Sequence, residues 1–310
     1  MSFPELPLSG PDQVLLVCAR YDGEAARWGG LLTDIGGDRE GDVLVLHGVR
    51  LRLVEGRGWA GLRGGNVPAL VPGSGAPVAV LADSAVAYGG DGPLLVALAA
   101  TPGRGVRIPR ARLGQVLAEL LGGVLVFDDL VLGMDVHGTY SGGGGRPAFP
   151  TPTAARRRSF PALPGTDAAL LVRTCFEHEG GWTALLEELG GGQAGGRLGA
   201  DVDPGVLGLD DDYPLTALGV DDRAYQDLLP GQVPALVPPT EHTTLVALAD
   251  ARTFAEPNQP LVVVDLYEVP GRATVLPCRM VGSMACNLQM ATMDFQDFVA
   301  VEGSTPWWQT

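Results

Sequence analysis

Residues 67–131 and 233–299 repeat one another, and this duplication constrains the fold more than any single motif. Val67-Pro68-Ala69-Leu70-Val71-Pro72 recurs as Val233-Pro234-Ala235-Leu236-Val237-Pro238. Leu81-Ala82-Asp83 recurs as Leu248-Ala249-Asp250, Pro102-Gly103-Arg104 as Pro270-Gly271-Arg272, and the pair Phe127 and Asp129 as Phe295 and Asp297. The offset drifts only from 166 to 168. Upstream, Leu15-Leu16-Val17 and Trp28-x-x-Leu31-Leu32 match Leu170-Leu171-Val172 and Trp182-x-x-Leu185-Leu186 at offsets of 154–155. A repeat this long is a folding unit of its own, so the chain is one domain of roughly 140 residues present twice.

Composition places the seam. Residues 141–165 are rich in Gly and Pro around Arg156-Arg157-Arg158, and such a stretch buries too little apolar surface to offset the entropy of ordering it. It reads as a linker between a first copy at 1–140 and a second at 166–310. The net charge of −15 is uneven: residues 1–150 hold 12 Arg against 15 acids, whereas residues 166–310 hold 6 Arg against 21 acids. So acidic a surface repels phosphate backbones and anionic lipid, which argues against nucleic acid or a membrane as partner and leaves a basic protein partner or a metal ion. All 21 basic residues are Arg, a bias we attribute to a GC-rich coding sequence. Cys18, Cys175, Cys278 and Cys286 show no metal-ligand spacing and read as buried free thiols of a cytoplasmic protein. The start lacks the pattern of a secretory signal, and no apolar stretch has the length to span a bilayer.

The second copy predicts an α/β unit. Ala169–Thr174, Leu215–Val220, Thr244–Ala249 and Leu261–Leu266 are apolar runs of strand length, and Trp182, Leu185, Leu186 and Leu189 mark one face of a helix. Asp221-Asp222 suits the start of a helix over Ala224–Leu229, and Pro230 and Pro234 allow only short turns after it. Val269-Pro270-Gly271-Arg272 leads into Ala273–Leu276 as a hairpin, and Met280–Ala291 and Asp294–Ala300 are expected to be helical. The pattern is β-α-β-α-β followed by a β-hairpin: two tandem homologous domains, each a mixed β-sheet packed with helices. The link from Asp250 to Pro260 is short for a crossover, so its flanking strands should run antiparallel or the link should hold one tight helical turn.

Leu171-Val172-Arg173-Thr174-x-Phe176, Val220-Asp221-Asp222-x-x-Tyr225, Pro260–Leu266 with Pro270-Gly271-Arg272, and Asn287-Leu288 with Met293-Asp294-Phe295-x-x-Phe298 carry a likeness. They resemble an uncharacterised family of small bacterial domains, common in actinobacteria. The resemblance covers essentially 168–303, with the first copy a degenerate member; it implies a fold unit and no mechanism. Cys175 departs from the acidic residue expected between Thr174 and Phe176.

Chemistry-bearing patterns are few. Gly56-Arg57-Gly58-Trp59-Ala60-Gly61 mimics a dinucleotide loop, but Gly64-Gly65 and Pro68 break the helix that should follow it, and the second copy has Asp221-Asp222-Arg223 there. Asp250, Asp265 and Asp294 lie at strand ends, where carboxylates hold Mg²⁺ or act as acid and base, and Arg173 projects from the first strand. The structural alternative has Asp250 and Asp294 capping turns or helix starts and Asp265 paired with Arg173. If the flanking strands are antiparallel, Asp250 and Asp265 fall at opposite sheet ends. His47, His137, His178 and His242 are not shared between copies, and Glu177-His178-Glu179 reads as a solvated loop. No catalytic residue, cofactor or metal is assigned. The expected role is a non-enzymatic protein-interaction module whose two copies pair about a pseudo-twofold axis. The alternative is an enzyme or small-ligand-binding domain using Arg173, Asp250, Asp265 and Asn287. Trp307 and Trp308 either fold back on the domain or anchor a partner.

Overall fold

Each half is organised around one strand that is apolar nearly end to end and so is buried on both faces. The computed structural model describes residues 3–20, 25–71, 75–83, 92–99, 101–142, 159–191, 196–199, 213–239 and 242–309. In the first half the strands are β1 (Gln13–Cys18), β2 (Asp38–Glu40), β3 (Val43–Leu46), β4 (Val49–Val54), β5 (Val78–Ala82), β6 (Leu94–Ala97) and β7 (Gly105–Arg107). The second half has β8 (Ala169–Arg173), β9 (Arg197–Leu198), β10 (Ala217–Val220), β11 (Val246–Ala249), β12 (Leu261–Val264) and β13 (Ala273–Leu276). The sheet orders are β2-β3-β4-β1-β5-β6-β7 and, read in the same sense, β9-β10-β8-β11-β12-β13. In both, the central strand runs parallel to its two neighbours, and every further pairing is antiparallel. The halves therefore trace one strand connection, with β2 added at an edge of the first.

Helices cover one face of each sheet. Ala25–Ile35 and Glu179–Glu188 follow the central strands and bury Trp28, Leu31, Trp182 and Leu185, the face that the spacing predicted. Leu113–Leu121 and Met280–Met290 pack beside them. Both carry a glycine where the helix presses on neighbouring backbone or loop: a Cβ at Gly282 would lie 1.9 Å from the Tyr213 carbonyl oxygen, and one at Gly114 would lie 2.4 Å from His47.

The other face is covered by short turns. The helix expected over Ala224–Leu229 is instead a 3-10 turn, Arg223–Tyr225, because Asp227 takes a φ of +64° and Pro230 follows. Asp294–Ala300, on the helical face, likewise holds only the 3-10 turn Phe295–Phe298. The Asp250–Pro260 link holds the helix Ala251–Ala255, and its flanking strands are antiparallel.

Across these turns runs an arm that is part of the repeat: Phe3-Pro4-Glu5-Leu6-Pro7 returns as Phe160-Pro161-Ala162-Leu163-Pro164. Leu6 and Leu163 are buried, and their amides donate to the Leu70 and Leu236 carbonyls at 2.9 and 2.8 Å. Trp59 Nε1 donates to the Pro4 carbonyl, and Tyr225, its counterpart, donates its hydroxyl to the Ala162 carbonyl. Residues 159–165 thus pack on the second half, although their composition reads as linker: Leu163 and the half-buried Phe160 add apolar surface to the cluster around Tyr225. Arg156-Arg157-Arg158 lies outside the described residues.

The halves touch through their turns. The turn Gly64–Asn66 lies against Pro234–Leu236, where a Cβ on Gly65 would meet the Pro234 carbonyl oxygen at 2.7 Å. Gly105 N donates to the Pro270 carbonyl at 2.8 Å, Arg107 to the Glu268 carbonyl at 2.7 Å, and Arg272 to the Val136 carbonyl at 3.0 Å. Trp307 folds back onto Phe298 and Trp308, with Nε1 donating to the Asp297 carbonyl, yet stays 51% exposed. No helix among the described residues is long and apolar enough to cross a membrane. The cysteines are free; Cys18 and Cys278 are buried, whereas Cys175 and Cys286 are half-buried.

Candidate functional site

Arg173 ends β8 with a side chain 1% exposed. It donates to Glu179 at 2.8 Å, to Asp221 at 3.2 Å and to the Cys175 carbonyl at 3.1 Å, and it stacks on the Phe176 ring at 4.5 Å. Burial works to lower its pKa, but the bonds to Glu179 and Asp221 prevail and hold the guanidinium above its ordinary value. The same contact holds the Glu179 carboxyl below the usual range. Arg173 has no bond to Asp265. The pairing expected between them fails because they lie at opposite ends of the sheet.

Asp250 caps the helix Ala251–Ala255, accepting from the amides of Arg252 and Thr253 at 2.9 and 3.2 Å. Its counterpart Asp83 instead takes both Nη atoms of Arg107, at 2.8 and 3.0 Å. The β11–β12 register, Val246 opposite Val264 and Leu248 opposite Val262, sends Asp250 and Asp265 past opposite strand ends, roughly 15 Å apart at strand rise. Asp265 is 3% exposed and accepts from the amides of Tyr267, Glu268 and Val269 at 2.8–3.0 Å and from Arg272 at 2.9 Å. Asn287, on the helix Met280–Met290, donates to the Ser283 carbonyl and accepts from the Thr292 hydroxyl. Arg173, Asp250, Asp265 and Asn287 therefore do not converge; each is held by the fold around it. Among the described residues no three His, Cys, Asp or Glu side chains are grouped to hold a metal ion. The Gly56–Gly61 segment forms the 3-10 turn Arg57–Trp59, with no long helix dipole behind it.

A model of the domain of unknown function DUF6924 matches residues 13–143 and, again, residues 168–306. The chain belongs to the DUF6924 family. No curated protein and no solved structure matches it. Each matched segment begins just after the Phe-Pro-x-Leu-Pro arm, so the two DUF6924 units are each clasped by chain that precedes them.

One concave surface of the second DUF6924 unit takes in only Asp265 of these four residues. A trough of about 620 Å³ opens between the helix Met280–Met290 and the end of the sheet where β8 and β11 begin. Its floor is apolar, with Leu245, Val264, Leu288, Met293 and Phe295, and its rim carries Asp167, Glu268 and Asp294. Asp265 reaches it, already bonded; no arginine is among the described lining residues. Burial pushes the Glu268 carboxyl up, and the nearby Asp265 and Asp294 charges add to this against the pull of Arg272. Arg63 of the first unit stacks on the Tyr267 ring at 4.5 Å at one margin and lies 3.5 Å from His242. Glu268, Asp167 and Tyr267 escaped the sequence reading; the available signal was the excess of acids in the second copy, such as Asp294 where the first has Val126.

Proposed function

We propose that this protein is a non-enzymatic interaction module of the bacterial cytosol, and that its second unit receives a basic protein partner. The carrying observation is the acid-rimmed apolar trough: an arginine or lysine side chain lays its apolar stem on Leu288 and Met293 and its charge beside Asp294 and Glu268. The fold-bound state of Arg173, Asp250, Asp265 and Asn287 supports a role without catalysis by these groups. Four free cysteines suit a reducing compartment. Close turn-to-turn contacts between the units are compatible with pseudo-twofold pairing, in which the first unit braces the second. Affinity capture from native lysate, with wild type beside an Asp167→Lys, Asp294→Lys variant, tests the reading. A basic protein retained by the wild type and lost by the variant is expected. Equal retention by both, or no specific partner, overturns it.

A further inference from the structure

The two Pro-Gly-Arg turns share a backbone and differ in their charges. Ala97 N donates to the Arg104 carbonyl at 2.8 Å, as Asp265 N does to that of Arg272 at 2.8 Å. Gly103 N donates to Ala97 O and Gly271 N to Asp265 O, both at 2.9 Å, and Arg104 N donates to Thr101 O as Arg272 N does to Val269 O. Ala97 therefore stands where the second unit has Asp265. That carboxylate collects three backbone amides and balances the fully buried Arg272, which also bonds Glu268.

Arg104 is just as buried, at 0% exposure, and Nε, Nη1 and Nη2 all lack a hydrogen-bond partner among the described residues. Thr101, 2% exposed, brings a hydroxyl in the same condition. A buried guanidinium with five N–H groups and no acceptor among the described residues is costly, since its lost hydration is not replaced by hydrogen bonds to the protein. Burial brings its pKa down to about 10, the charge of Asp128 only partly opposing this. The second unit crowds the site, because a Cβ on Gly231 would come 2.5 Å from Arg104 Nη1. A phosphate or a peptide carboxylate is too bulky for such a place. The difference between an aspartate and an alanine side chain is one carboxylate group, the size of formate.

We infer that the Pro102-Gly103-Arg104 turn is a binding site for a small monovalent anion of chloride or formate size, held between the two units. The anion gives Arg104 and Thr101 the acceptor that Asp265 gives Arg272. Because the turn faces Gly231 and Gly271, binding ties the units together.

The test is the melting temperature of the full chain as sodium gluconate is exchanged for sodium chloride or sodium formate at constant ionic strength. The expected result is a saturable rise of roughly 2–4 °C with either small anion. Ala97→Asp supplies the carboxylate covalently and should melt higher in gluconate and ignore chloride; Arg104→Met should also lose the response. Bromide in crystals of the wild type should give an anomalous peak at Arg104, a readout that stands even if Ala97→Asp does not fold. A flat wild-type response overturns the inference. So does an equal response in Arg104→Met, which would mark a general salt effect, or bromide found only away from the turn.

Discussion

Asp129 and Asp297, kept in both copies, serve the geometry of the backbone. Asp129 and Asp297 each accept the amide three residues earlier, from Val126 and Asp294, and so start the last turns of their units. Asp265, unique to the second unit, neutralises a fully buried arginine, whereas Asp250 only caps a five-residue helix. Their removal should therefore differ in cost. Asp265→Ala should destabilise by about 3–5 kcal/mol, as for breaking a buried ion pair, and Asp250→Ala by about 0.5–2 kcal/mol, as for a lost cap. Urea denaturation of both variants measures the difference, and equal losses would contradict the assigned roles. Glu268 gives a pH signature. Its folded pKa is raised, so the folded state is favoured while the group is protonated, and that advantage is lost as pH climbs from the ordinary value of 4.5 through the folded one. The urea midpoint of Glu268→Gln, which does not titrate, should gain on that of the wild type over this window; a constant gap would sink the assignment. The capping role of Asp250 was legible in its position before Ala251 and Thr253. The partner of Asp265 was not, because it depends on which way the hairpin returns and therefore on which arginine reaches that end of the sheet.

At the scale of elements, apolar runs translated well into strands and proline or positive φ cut helices short. The Trp182 helix and the antiparallel pair around the short Asp250–Pro260 link followed directly from spacing and loop length. Residues 224–229 did not, since helix-favouring composition there yields to a left-handed Asp227 and to Pro230. The repeated Phe-Pro-x-Leu-Pro arm was visible in the letters but was hidden by the Gly- and Pro-rich composition around it. Its role emerges only from the buried Leu163 and its bond to Leu236. Two substitutions probe the helical layer. Trp182→Ala should cost about 3–5 kcal/mol, the range for a buried tryptophan, and an unchanged melt of the second unit would displace the helix from its core. Gly282→Ala should also lose stability, although alanine favours helix by about 1 kcal/mol, because its Cβ would collide with the Tyr213 carbonyl. A stabilised Gly282→Ala variant would show that this helix stands further from the Tyr213 segment.

At the scale of the whole molecule, the junction between units is glycine-lined and closely packed, so it tolerates little added volume. Gly65→Val should push the units apart. Small-angle scattering should then show a larger radius of gyration with circular dichroism unchanged, and an unaltered radius would mean that the turns have room to yield. Arg104 and Arg272 live under different electrostatics on the two sides of this junction. In an assembly of identical chains every mutation strikes both sides of the axis at once, so losing one carboxylate means losing its mirror image as well. Joining the copies into a single polypeptide breaks that bookkeeping: one side is free to specialise while its twin goes on securing the contact.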